Sequence, residues 1–95
     1  MGYIKYSCRE LSKIINKLQK AYSKLNLENI PEYTKNLIIT LKERNVSFMD
    51  IDIIVAASVT KNPKHLKEIA KTHIRHFDIH KYIKNVYDGG IQWIY

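Results

Sequence analysis

Cysteine is nearly absent from this chain, and Cys8 stands alone. It has no mate for an internal disulfide and no second thiolate for a metal site, which tells against a disulfide-stapled secreted fold. Long hydrophobic runs are missing too. No segment approaches the ~18 uninterrupted apolar residues of a membrane span, so no membrane partner is expected. The opening MGYIKYSCRE has no apolar stretch behind it and does not read as a signal peptide. The expected location is therefore the cytoplasm, or the host cytoplasm if the chain is viral. Glycine is scarce, and the one pair, Gly89-Gly90, follows a helix-like segment without the Lys-Ser/Thr of a phosphate loop. No nucleotide cofactor is expected. Internal repeats and low-complexity segments are lacking as well. Acids are few, nine against sixteen lysines and arginines, which leaves a net charge of +7.

With 45% apolar and 26% charged residues, what remains is a globular composition and not a disordered tail. The 95 residues suit one small domain, 1–95, with a modest core to which a dimer interface would add much. Fifteen isoleucines with abundant Lys, Asn and Tyr suggest an A·T-rich coding genome. Many viruses and mobile elements share that trait, as do many bacteria and archaea. A surplus of +7 attracts polyanions, of which nucleic acid is the commonest. Residues 61–95 hold seven of the basic residues against three acids, together with all four histidines. The competing reading is a lysine-rich surface that only keeps the protein wet.

Start and stop signals give a mainly α fold of about five short helices. Tyr3–Tyr6 suits a short strand, conceivably beside a C-terminal one. Ser7 and Glu10 form a capping box that opens a first helix, with Leu11, Ile14, Ile15, Leu18, Tyr22 and Leu25 along one seam. That seam either packs on the body of the chain or makes a dimer. The opposite side carries Lys13, Lys17, Lys20 and Lys24, either a phosphate-facing ridge or a solvated face. Asn26–Ile30 reads as a linker. Pro31 and Glu32 open a second helix, with Tyr33, Leu37, Ile38 and Leu41 on one face, that ends near Asn45. Ser47 with Asp50 caps a third, in which Phe48, Ile51, Ile54, Val55 and Ser58 share a side and Ile53, Ala56, Ala57 and Val59 leave few polar positions. It is expected to be central and buried. A strand over Ile51–Thr60 is the rival reading, and Ala56, Ala57 and the cap favour the helix.

Asn62 and Pro63 open a fourth helix with an inward stripe of Leu66, Ile69, Ala70, His73 and Ile74, leaving Lys64, Lys67, Glu68 and Lys71 outside. The chain must turn between His73 and Phe77. Asp78 caps a fifth helix whose stripe is Ile79, Ile83 and Val86, flanked by Tyr82 and Tyr87. Lys81, Lys84, Asn85 and Asp88 fall on its wet face with His80 at the border. The glycine pair ends it, and Ile91–Tyr95 suits a terminal β-strand.

The order DIDIIVAASVT, HLKEIAKTH, DIHKYIKNVYD and GGIQWIY resembles the winged helix-turn-helix DNA-binding regulators of the MarR-like and ArsR-like kind. The resemblance covers Met49–Tyr95, about half the chain. It implies a helix-turn-helix core over 47–95, flanking dimerisation helices over 1–46, a homodimer, and a recognition helix at Asp78–Asp88. Two features depart from the family: the turn lacks its customary glycine and is a residue short, and only the first wing strand falls within the sequence.

The chemical motifs point away from an enzyme. His73, His76 and His80 would share a face only on one continuous helix, which a cap at Asp78 interrupts, so no metal site is expected. Asp50 and Asp52 stand two apart and do not face each other on a helix. The expected function is DNA binding by a small transcription regulator, sequence-specific or general. His80, Lys81, Lys84 and Asn85 would enter the major groove of double-stranded DNA, with Asn85 able to read adenine. Lys64, Lys67, Lys71 and Arg75 would contact the backbone. The alternative is a small viral or mobile-element protein that docks on an acidic host protein as an inhibitor or adaptor.

Overall fold

A computed structural model describes residues 2–71 and 76–89. Five helices follow in order, α1 Cys8–Ser23, α2 Ile30–Glu43, α3 Phe48–Thr60, α4 Pro63–Ala70 and α5 Ile79–Tyr87. A 3-10 turn, Leu27–Asn29, precedes α2.

The helix most nearly apolar on every side is the one the others surround. Ile51, Ile54, Val55, Ala56, Ser58 and Val59 of α3 are all buried, and α1, α2, α4 and α5 each pack on it. A helix without a polar face has to be enclosed. The strand alternative over this stretch is thereby settled in favour of helix. Of its large apolar residues, Met49 and Ile53, four apart on its outer edge, stay exposed. The buried cluster draws on both halves of the chain, from Tyr22, Ile30, Ile38 and Leu41 to Ile69, Ile83 and Val86.

Caps fix most of the boundaries. Ser7 Oγ accepts from the Glu10 N–H while the Ser7 N–H donates to Glu10, closing the expected capping box of α1. Its apolar seam, half-buried at Leu11, Ile14 and Leu18, lies against the core of its own chain, chiefly through α3. The end of α2 is a Schellman motif. Asn45 takes a left-handed φ of 63°, the Val46 N–H reaches back to the Leu41 carbonyl at 3.1 Å, and the Asn45 N–H to that of Lys42 at 3.0 Å. Val46 and Leu41 are both buried, which supplies the apolar contact of that motif.

Three details differ from the sequence-based expectation. The stretch from Asn26 to Ile30 is no simple linker: it contains the 3-10 turn, and Ile30 is already the first, fully buried residue of α2. Proline in the first turn is preorganised for a helix, and the apolar residue before it is drawn inward. The N-terminal segment pairs with the α2–α3 connection. Ile4 forms a parallel bridge with Val46, its N–H donating to the Asn45 carbonyl at 2.7 Å and its carbonyl accepting from Ser47 at 3.0 Å. The Asp50 carboxylate does not turn back on Ser47. Its Oδ2 accepts the Tyr6 N–H at 2.8 Å and pins that segment to the start of α3.

At the other end, α4 closes at Ala70, earlier than a stripe through Ile74 implies; His73 and Ile74 lie outside the described residues. Gly89 has φ 97° and ends α5 as expected. The expected strand at Ile91–Tyr95 also lies outside the described residues. Among the described residues no helix is long and apolar enough to cross a membrane.

Candidate nucleic-acid interface

Each capping residue expected for the C-terminal half is in place. Asn62 Oδ1 accepts from the Lys64 N–H at 3.2 Å, and Asp78 Oδ1 from the His80 N–H at 2.9 Å. The inner faces follow the stripes: Ile69, Ile83 and Val86 are buried, and so is Tyr82. Each helix therefore turns its basic side outward. Lys64 and Lys67 are exposed on α4, Lys71 just past its end, and His80, Lys81 and Lys84 on α5. Asn85 is half-buried. Arg75 lies outside the described residues.

Tertiary contacts divide these residues into engaged and free. Lys71 pairs with Glu68 at 2.6 Å, and Lys84 with Asp88 at 3.4 Å. The Lys84 ammonium also sits 5.7 Å from the centre of the Phe48 ring, a cation–π contact with α3. Phe48 in turn meets Tyr87 edge-on at 5.0 Å. Lys42 of α2 lies 4.7 Å from the centre of the Tyr87 ring, and its ammonium donates to the Tyr87 carbonyl. The C-terminal half of α5 is thus strapped to α2 and α3 by aromatic and cationic side chains.

The N-terminal half of α5 is tied down by a polar contact. His80 Nδ1 lies 2.8 Å from Asp52 Oδ1 of α3. That hydrogen bond, with the charge of the carboxylate, raises the imidazole above the ordinary histidine pKa. His80 therefore faces α3 at least as much as any groove, and Asp52 takes a part in the face that no sequence pattern assigned to it.

Lys64, Lys67 and Lys81 make no ion pair among the described residues. The same holds for Lys13, Lys17, Lys20 and Lys24 on the outer side of α1. Helices α4 and α5 rest on α2 and α3 more than on each other, and residues 71–78 separate them. A helix-turn-helix ordinarily joins its two helices by a turn of about 3–4 residues.

His65 is the residue the sequence reading passed over. It is 4% exposed and lies on the inner side of α4, four residues before Ile69, a spacing that marks the same face. Burial pushes its pKa below the ordinary value. The structure defines a small, mainly α protein with a basic surface that is only partly paired among the described residues. No family model matches the chain, and neither a curated protein nor a solved structure does.

Proposed function

We propose that the protein binds double-stranded DNA through the outer faces of α4 and α5, as a small transcription regulator acting as a homodimer. The observation that carries this reading is the set of exposed lysines without acidic partners among the described residues, Lys64, Lys67 and Lys81, beside the partly neutralised Lys71 and Lys84. A cation without a counter-charge on its own protein is free to displace counterions from phosphate. In this reading Lys81 and Lys84 meet the duplex from α5. Asn85 approaches a base edge, and Lys64 and Lys67 position the backbone.

The test is fluorescence anisotropy with random duplex, random single strand and the DNA upstream of its own gene, over a range of salt. Three to five phosphate contacts predict a log–log salt slope of about −2.7 to −4.5 on duplex. Lys81→Glu with Lys84→Glu should abolish binding while leaving the helical circular dichroism unchanged, with the melting lowered only by loss of the Lys84 contacts to Phe48 and Asp88. Undiminished affinity in that variant rejects this face, and an absence of binding even at low salt rejects the function.

A second reading is favoured by a different observation. Tyr3, Ile4, Met49 and Ile53 are exposed, and all belong to the N-terminal segment or the α3 edge beside it. Exposed apolar side chains suit a protein partner, as in an adaptor or inhibitor of an acidic host protein. Retention of a partner by a Met49→Asp variant, or its loss, decides whether this edge is used.

A further inference from the structure

A concave site lies between the C-terminal half of α1 and the junction of α3 with α4. It encloses about 480 Å³, within the range of small-molecule sites. Asn16, Gln19, Lys20 and Ser23 of α1 form one wall. Ser58 and Lys61 at the end of α3, with Asn62 and His65 at the start of α4, form the other. Two lysines and no carboxylate line it, so its charge suits an anion.

His65 lines the cleft from the side of the core. Its ring is held 5.6 Å from the ring of the fully buried Tyr22, and its Nδ1 is buried with no hydrogen-bond partner. A buried ring nitrogen without a partner is unfavourable, and in this conformation it presents no accessible surface to the cleft. The remaining groups divide by role. Among the described residues Lys20 and Lys61 make no ion pair. Asn62 uses Oδ1 to cap α4, which leaves its Nδ2 as a donor. Gln19 Nε2 donates to the Ala57 carbonyl at 3.3 Å and carries a second hydrogen. The serine protons are committed to helix carbonyls, Ser23 to Lys20 at 2.7 Å and the buried Ser58 to Ile54 at 2.6 Å, so the exposed Ser23 oxygen remains as an acceptor. Two cations and amide donors match an oxyanion, and the Ser23 acceptor matches a hydroxyl of a sugar.

We propose that this cleft binds a small phosphomonoester bearing hydroxyls, a sugar phosphate or a mononucleotide. Lys20 and Lys61 hold its phosphate, Ser23 accepts from a hydroxyl, and His65, in the facing wall, reports its arrival. The site uses none of the α5 residues and stands or falls apart from DNA binding.

The test follows the His65 imidazole by NMR while ribose 5-phosphate, adenosine 5′-monophosphate, inorganic phosphate or unphosphorylated ribose is added. A saturable shift with either phosphomonoester and none with ribose is the expected result; which of the two binds tighter separates a sugar phosphate from a nucleotide ligand. Lys20→Ala and Lys61→Ala should each weaken binding about tenfold or more. Both are surface changes, so the melting should be unchanged. The variant carrying Lys81→Glu and Lys84→Glu should bind the phosphomonoester like the parent. No saturable shift with either phosphomonoester would overturn the assignment. So would equal affinity in both lysine variants, an equal response to inorganic phosphate alone, or a response only to a duplex oligonucleotide.

Discussion

Tyr22→Phe isolates one buried hydrogen bond with almost nothing else changed. Tyr22 is fully buried, its hydroxyl is 2.8 Å from Thr34 Oγ1, and Thr34 Oγ1 lies 2.8 Å from the Ile30 carbonyl. Only a donor satisfies a carbonyl, so the single Thr34 proton goes to Ile30 and Tyr22 must donate to Thr34. Burial raises the Tyr22 phenol above its ordinary pKa, which keeps that proton in place at neutral pH. The ring also meets Tyr33 edge-on at 5.0 Å and the His65 ring at 5.6 Å, contacts a phenylalanine retains. Tyr22→Phe therefore removes one donor and strands none, and it should cost about 1 kcal/mol. Thr34→Val is the harsher change, because it leaves a buried phenol proton without an acceptor, at about 1–3 kcal/mol. In a protein that already carries Tyr22→Phe, the same Thr34→Val change should cost clearly less. Urea denaturation of the parent, both single variants and the double variant measures this coupling as a shift in midpoint at constant slope. Additive effects, or a Tyr22→Phe cost equal to that of Thr34→Val, would refute the donor assignment.

Three further expectations follow from local geometry. Asp50→Ala strips the acceptor from the Tyr6 N–H and should cost about 1–3 kcal/mol, with faster amide exchange at Tyr6 and Ile4. Unchanged exchange there would show that the carboxylate does not hold the N-terminal segment. Gly89→Ala meets no atom within 4 Å but must keep φ 97°, so it should cost about 1–2 kcal/mol through backbone strain alone; a neutral result would mean that α5 does not end on this conformation. The histidines should move in opposite directions with pH. The raised pKa of His80 gives a contribution present below its unfolded pKa and lost as pH rises through the folded value. It is worth under about 1 kcal/mol because the pair is largely exposed. The lowered pKa of His65 makes stability fall as pH drops below about 6.5, where the unfolded chain takes up the proton first. NMR titration reads both, and Asp52→Asn should return His80 toward its ordinary pKa; an unchanged His80 titration would refute the pairing.

The sequence by itself determined the helices and their caps, since those signals are local. Ser7 with Glu10, Ser47, Asn62 and Asp78 are each read within three residues of the N–H groups they satisfy, and all four cap as their positions imply. Periodicity likewise marked Ile69, Ile83 and Val86 as inward, and the near-absence of polar positions marked α3 as central. Tertiary structure decided what lies far apart along the chain. Nothing near His80 announces Asp52, nothing near Tyr6 announces Asp50, and Thr34 reads as an ordinary polar helix residue until Tyr22 is packed against it. The same holds for which lysines are free. Asp88 stands four residues past Lys84 and was open to the sequence, but the Phe48 ring of α3, which also engages Lys84, was not. The cleft shows the division most sharply: Lys20 and His65 are unremarkable on their separate helices, and they line one site only because the apolar α3 draws α1 and α4 against it.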